Sequence, residues 1–188
     1  DEPGYKHFFI KPQIPNGVFT MDGGEISNNT AGRGGAVYHA GGSCTITGGV
    51  INGNHNTFSG TGLYAREDFS VGGGADLKDG IYLVTNKKAL VTSSLSNAIQ
   101  IEGMEGTPAS GTVVAAGSSY TISDTDFGKF SINDTAWALN KNESGQIVLK
   151  STSVPTYAVE LLRNGSKVSS HATLADAITA AQSGGTLK

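Results

Sequence analysis

The feature that most constrains this chain is a repeat. "GVFTMDGGEISNN" at residues 17–29 is followed by "GSCTITGGVINGN" at 42–54, so that Phe19 aligns with Cys44, Met21 with Ile46, Gly23-Gly24 with Gly48-Gly49, Ile26 with Ile51 and Asn29 with Asn54, all at one 25-residue offset. A third copy, "DFSVGGGADLKDGIY", places Phe69 and Val71 at the same offset from Cys44 and Ile46 before one extra glycine shifts its register. Within each copy the apolar residues alternate with Thr20, Thr45 and Ser70, the period of a half-buried strand. A later segment of each copy, "GGAVYH", "GTGLYA" and "DGIYLV", puts Val37, Leu63 and Ile81 on the inner face.

One such unit cannot bury its own apolar face. Stacking successive units at a strand spacing of about 4.8 Å superposes equivalent residues into a narrow continuous core. Asn29 and Asn54 at equivalent bends can then exchange amide hydrogen bonds from coil to coil, and the double glycines supply corners that need φ > 0. The expected fold is all-β, a parallel β-solenoid. A β-sandwich offers similar strands but no reason for side chains to recur at a fixed interval.

"FTMDGGEISNNTAGRGGAVY" resembles the repeats of right-handed parallel β-helix proteins, the pectin-lyase-like fold, from the surfaces of Gram-positive gut bacteria, and the likeness extends over residues 17–84. The resemblance implies a right-handed β-helix within a large modular protein of adhesin type, extracellular, secreted or attached to the cell wall. It leads us to expect a non-catalytic structural or adhesive module that binds a glycan or a host surface protein, or acts as a spacer. A carbohydrate-active β-helix enzyme, a polysaccharide lyase or glycoside hydrolase, is the alternative on the same fold.

Along the chain, "HFFI" followed by "KPQIPNG" reads as a strand entering a proline turn. Regular coils fill about 17–84, and 85–150 reads as irregular closing coils built on short strands such as "KALVT", "AIQI" and "IVL". Together 1–150 form the β-helix, with Trp137 as a plug at its closure. Residues 151–156 read as a linker. In 157–188, "AVELL" and "KVSS" flank a hairpin turn at Asn164-Gly165. Thr173 caps a short α-helix near the C-terminus whose Leu174, Ala177, Ile178 and Ala181 share a face. In related β-helix proteins a similar helix caps the first coil of a new solenoid, so this region reads as the start of a truncated next module, with "SGGTLK" its first strand.

The chemistry-bearing residues are sparse. Asp22/Glu25, Glu67/Asp68, Asp76/Asp79 and Asp124/Asp126 do not fall into one column and read as solvated loop acids rather than a facing catalytic pair. "SDTDFGKFSIND" lacks the ligand spacing of a calcium loop, so Asp124 and Asp126 are assigned to turn chemistry. His7, His39, His55 and His171 show no metal or catalytic spacing. We therefore expect no metal, no cofactor and no enzymatic activity. The lone Cys44 excludes an intrachain disulfide and reads as a small core residue. Neither "AGRGGAV" nor Gly128-Lys129-Phe130 matches a nucleotide fingerprint. With 13 basic against 16 acidic residues the chain has no footprint for nucleic acid, and no apolar run is long enough for a membrane span. An open coil edge suits end-to-end self-association. The candidate ligand-binding residues are Tyr38, Tyr64 and Tyr82, which follow the inward Val37, Leu63 and Ile81 and so form an outward aromatic stripe.

Overall fold

The computed structural model describes residues 17–153, 159–163, 166–171, 178–179 and 186–187. Two compact units divide the chain, 1–152 and 153–188.

The first unit is a parallel β-solenoid of about four turns. Its first coil contains β1 (Val18–Ser27), β2 (Thr30–Arg33) and β3 (Val37–His39), and its second contains β4 (Ser43–Asn52), β5 (His55–Ser59) and β6 (Leu63–Ala65). β1 lies on β4 with Phe19 against Cys44, Met21 against Ile46 and Ile26 against Ile51, and β3 lies on β6 with Val37 against Leu63. The side chains therefore line up in columns. One runs Met21, Ile46, Val71, Val91. A second runs Ile26, Ile51, Leu77, Ile99, Phe130, and a third Val37, Leu63, Ile81, Ile101, Ile132. Ile46 is 0% exposed, and Leu63, Ile81, Val91 and Ile101 are equally enclosed. Burying a side chain of this size contributes roughly 1.5–3 kcal/mol, so the columns are the principal source of stability.

The glycine pairs behave as the repeat requires. Gly24 and Gly49 have φ of +79° and +84°, a region where an L side chain is strained. At Gly49 a Cβ would also come within 2.5 Å of Met21 Cε and 2.8 Å of the Gly23 carbonyl oxygen in the coil before. At the next bend the expected asparagine contact is present: Asn29 Nδ2 donates to Asn54 Oδ1 at 3.0 Å and the Asn29 backbone N–H donates to the same oxygen at 3.1 Å.

The ladder has a third rung that the sequence reading did not assign. Asp79, one repeat interval beyond Asn54, accepts from Asn54 Nδ2 at 2.7 Å, from Asn54 N at 2.9 Å and from Gly53 N at 2.8 Å. This corrects its reading as a solvated loop acid.

Coil three is shorter. β7 (Phe69–Gly73) and β8 (Asp76–Leu83) are followed by β9 (Ala89–Leu95) and β10 (Ile99–Met104), with Phe69 on Ala89 and Ile81 on Ile101, a 20-residue offset. β8 runs directly from the position of Asn54 to that of Leu63, whereas the first two coils make an outward excursion there that carries β2 and β5. These two strands form a separate two-stranded parallel sheet. After residue 85, β9 and β10 thus form a coil in parallel register, whereas the steps onward from Ala89 to Ala115 and from Ile99 to Phe130 are longer and unequal. Beyond β11 (Val113–Gly117), parallel to β9, come a one-turn helix α1 (Asp124–Phe127) and β12 (Phe130–Ile132), which lies on β10. β13 (Trp137–Lys141) and β14 (Ile147–Ser151) then form an antiparallel hairpin whose β14 pairs with β11. This end of the solenoid is closed by antiparallel pairing where the sequence suggested further coils. Trp137 is half-buried against the core, in keeping with its reading as a plug.

In the second unit β15 (Val159–Arg163) and β16 (Ser166–His171) pair antiparallel, the expected hairpin, with the Asn164-Gly165 turn itself outside the described residues. β17 (Thr186–Leu187) pairs antiparallel with β15 through Leu161 and Leu162. Of the expected capping helix, Ile178 and Thr179 are described, and both are helical. The expected strand at 7–10 and residues 154–156 of the expected linker lie outside the described residues.

Candidate functional site

Strict alternation in β3 and β6 turns Val37 and His39 inward and leaves Tyr38 between them outward. The register then places Tyr38 beside Tyr64 and Tyr64 beside Tyr82. The three rings stack, with centroids 5.3 and 5.4 Å apart and planes within 8° and 9° of parallel. This is the column expected from the sequence, but its exposure differs. Rings at this spacing close over one another, so Tyr64 is only 2% exposed while Tyr38 and Tyr82 remain partly open. The expected open stripe is therefore a stack with a covered centre and accessible outer members. Burial, reinforced by the hydrogen bond that its hydroxyl donates to Glu105, pushes the Tyr64 phenol up to about 12. Burial and the Glu105 charge also push Tyr82 upward.

Two further residues complete the face. Arg33 holds its guanidinium carbon 5.7 Å from the Tyr64 ring centroid and 5.8 Å from that of Phe58, within range of cation–π attraction to both. Phe58 precedes Ser59, the register partner of Arg33, is 78% exposed, and rests against Gly32, where a Cβ would come 3.4 Å from the ring. Arg66 Nη1 lies 3.4 Å from the Tyr38 hydroxyl oxygen. Glu102 ties down the loop beside them, accepting from Thr61 N at 2.7 Å and Thr61 Oγ1 at 2.6 Å, while Asn56 Nδ2 donates to Thr61 Oγ1 at 2.7 Å. Sequence reasoning missed Phe58 and Arg33 because neither recurs from coil to coil and a register shift sets Arg33 opposite Ser59.

The other acids are engaged in several ways. Glu67 pairs with Lys87 at 2.5 Å, Asp68 with Lys88 at 2.7 Å, Asp76 with Lys78 at 3.5 Å and Asp124 with Lys141 at 2.8 Å, whereas Asp22 and Glu25 lie exposed on β1. Asp126 is fully buried, which corrects its reading as a solvated acid, although the assignment to turn chemistry holds. Its carboxylate accepts from Ser123 N and Oγ in a capping box, from the Tyr120 hydroxyl at 2.6 Å and from Leu95 N at 2.9 Å. Burial pushes its carboxyl upward, but these hydrogen bonds from Ser123, Tyr120 and Leu95 outweigh it and hold the group far below the usual carboxylate range.

His39 is buried, with Nε2 3.2 Å from the Asp68 carbonyl oxygen and, among the described residues, no partner at Nδ1, and His55 is exposed. Burial pushes the Cys44 thiol up to about 12, so it packs as an unreactive core group. Among the described residues no three His, Cys, Asp or Glu side chains converge as metal ligands, and no helix is long and apolar enough to cross a membrane.

Comparison with family models, with curated proteins and with solved structures gave no match to this chain. The likeness to pectin-lyase-like repeats rests on the residues of 17–84, and the structure supports it at the level of a parallel β-solenoid.

Proposed function

We propose that this chain is a non-catalytic binding module of a secreted or wall-attached bacterial surface protein, and that it presents a glycan-binding face made of Phe58, Arg33 and the outer members of the tyrosine stack. The observation that carries this reading is Phe58, a large apolar ring 78% exposed on a strand and joined through Arg33 to a stack of three tyrosine rings. Sugar rings present apolar C–H faces that pack on such a surface, while the hydroxyl edges of Tyr38 and Tyr82 offer hydrogen bonds. The β-sheet support holds these groups without the ordering cost that a loop would incur on binding. Extracellular location follows from the repeat resemblance.

The test is a glycan and host-protein screen of the whole chain alongside Phe58→Ser. A glycan ligand whose affinity falls about tenfold or more in a variant that melts like the parent is the expected result, because aromatic anchors dominate recognition. Retained binding in the folded variant moves the site elsewhere. A ligand found only among proteins replaces the glycan reading, and no ligand in either set leaves a spacer.

A further inference from the structure

We infer that the ligand is acidic, a glycan bearing a carboxylate or sulfate group that sits on the Arg33 guanidinium with Arg66 nearby. This rests on the glycan-binding reading above and adds the class of sugar.

The hydrogen-bonding groups of this face differ in how fully they are already engaged. All four ion pairs among the described residues use lysine, and neither Arg33 nor Arg66 takes part in one. The two acids of the face keep their charge, but their oxygens are engaged by neutral donors rather than by arginine: Glu105 accepts from the Tyr64 hydroxyl, and Glu102 accepts from Thr61 N and Oγ1. Among the described residues the Arg33 side chain has no hydrogen-bond partner; its contacts are with the Phe58 and Tyr64 rings. A guanidinium held by aromatic rings keeps its donors available in a fixed fork, the geometry that matches two oxygens of a carboxylate or sulfate. Holding it in place beforehand lowers the entropy lost on binding. Among the described residues Arg66 is held only through its long side-chain contact to Tyr38, so it supplies a second cation along the stack. A neutral sugar can accept hydrogen bonds from these donors but supplies neither the countercharge nor the paired oxygens that match the fork. Phe58 supplies the apolar contact beside the charge, which suits a ring carrying an oxyanion better than a small inorganic anion.

The test uses the whole chain with four hexasaccharides: heparin-derived for sulfate, hyaluronan for carboxylate, and cellohexaose and chitohexaose as neutral controls. Affinities are measured by calorimetry at about 50 and 300 mM NaCl, a range over which exposed charge attraction is strongly screened. One acidic series should bind at least about tenfold tighter than both neutral ones and weaken with salt. Arg33→Gln should reduce it to the neutral level, whereas Arg33→Lys should recover part of the loss by restoring charge without the fork. Thermal melts confirm that each variant is folded. Neutral sugars binding as tightly as acidic ones, with Arg33→Gln silent and Phe58→Ser damaging, would overturn the acidic class and leave the binding face standing. Acidic binding that persists in folded Arg33→Gln/Arg66→Gln would overturn the placement of the oxyanion on these arginines. No binding to any of the four would remove both readings.

Discussion

Asn54 lies directly before Asp79 in the stack and donates its side-chain amide to the Asp79 carboxylate at 2.7 Å, while its backbone N–H reaches the same oxygen at 2.9 Å. Asn29 makes the equivalent pair of bonds to Asn54 one coil earlier, so a single hydrogen-bonding pattern is translated along the solenoid and ends on a carboxylate. Asp79→Ala would leave the donors of Gly53 and Asn54 unpaired at a largely buried bend, and should cost about 2–4 kcal/mol in a urea melt. Asp79→Asn keeps one acceptor and should fall between. A loss below about 0.5 kcal/mol for the alanine variant, the size of an ordinary surface substitution, would mean that water replaces the carboxylate freely.

Ile46 has a neighbour above and below in its column, Met21 and Val71. Ile46→Ala should therefore leave a cavity that neither coil can fill, destabilising the fold by about 2–5 kcal/mol. Denaturant titration checks it, and a near-neutral result would contradict the stacked core.

How much of this was legible in the sequence depends on whether equivalent residues are alike. Met21/Ile46/Val71, Asn29/Asn54 and Tyr38/Tyr64 repeat their chemistry at nearly constant spacing, and the structure joins each set. Asp79 after Asn54 obeys the same 25-residue offset, but a change of residue type hid the relation, whereas a register shift between β2 and β5 sets Arg33 opposite Ser59, so that the offset does not relate it to Phe58. The start of the fourth coil was obscured because the third coil lacks the β2/β5 excursion, so that β9 follows β7 at a 20-residue offset. The exposure of Tyr64 could not be read from alternation, which gives the direction of a side chain but not whether its neighbours close over it. Ser123 and Asp126 carry a capping-box spacing; what was not visible is that Leu95, from a different coil, also donates to that carboxylate.

Asp126 makes stability depend on acid. Its folded carboxyl is held far below the ordinary value of about 3.9, so the unfolded chain binds the proton more readily. The contribution is fully present above the unfolded value and is lost as pH falls through the folded one. Unfolding free energy measured from pH 7 down to pH 2 should drop more steeply below about pH 4 in the parent than in Asp126→Asn. Parallel curves would show that the buried hydrogen bonds do not favour the ionised form.

Tyr64 acts at the other end of the scale. With its phenol pushed up to about 12 in the fold and near 10 when unfolded, it contributes stability below about pH 10 that is lost as pH rises toward the folded value. Tyr64→Phe keeps the stacked ring and should flatten the alkaline part of the stability curve. In the parent, phenolate absorbance should remain incomplete at pH 11 until the protein unfolds. Full ionisation of the folded protein at that pH would contradict the covered position of this ring.

The most direct measurement of the central claim is hydrogen exchange of the whole chain with and without the glycan identified by screening. If Phe58, Arg33 and the tyrosine stack form the binding face, added protection should centre on residues 31–33, 56–64 and 81–83 and leave the closing hairpin at 137–151 unchanged. Protection confined to the hairpin or to another side of the coils, with 56–64 unaffected, would contradict it.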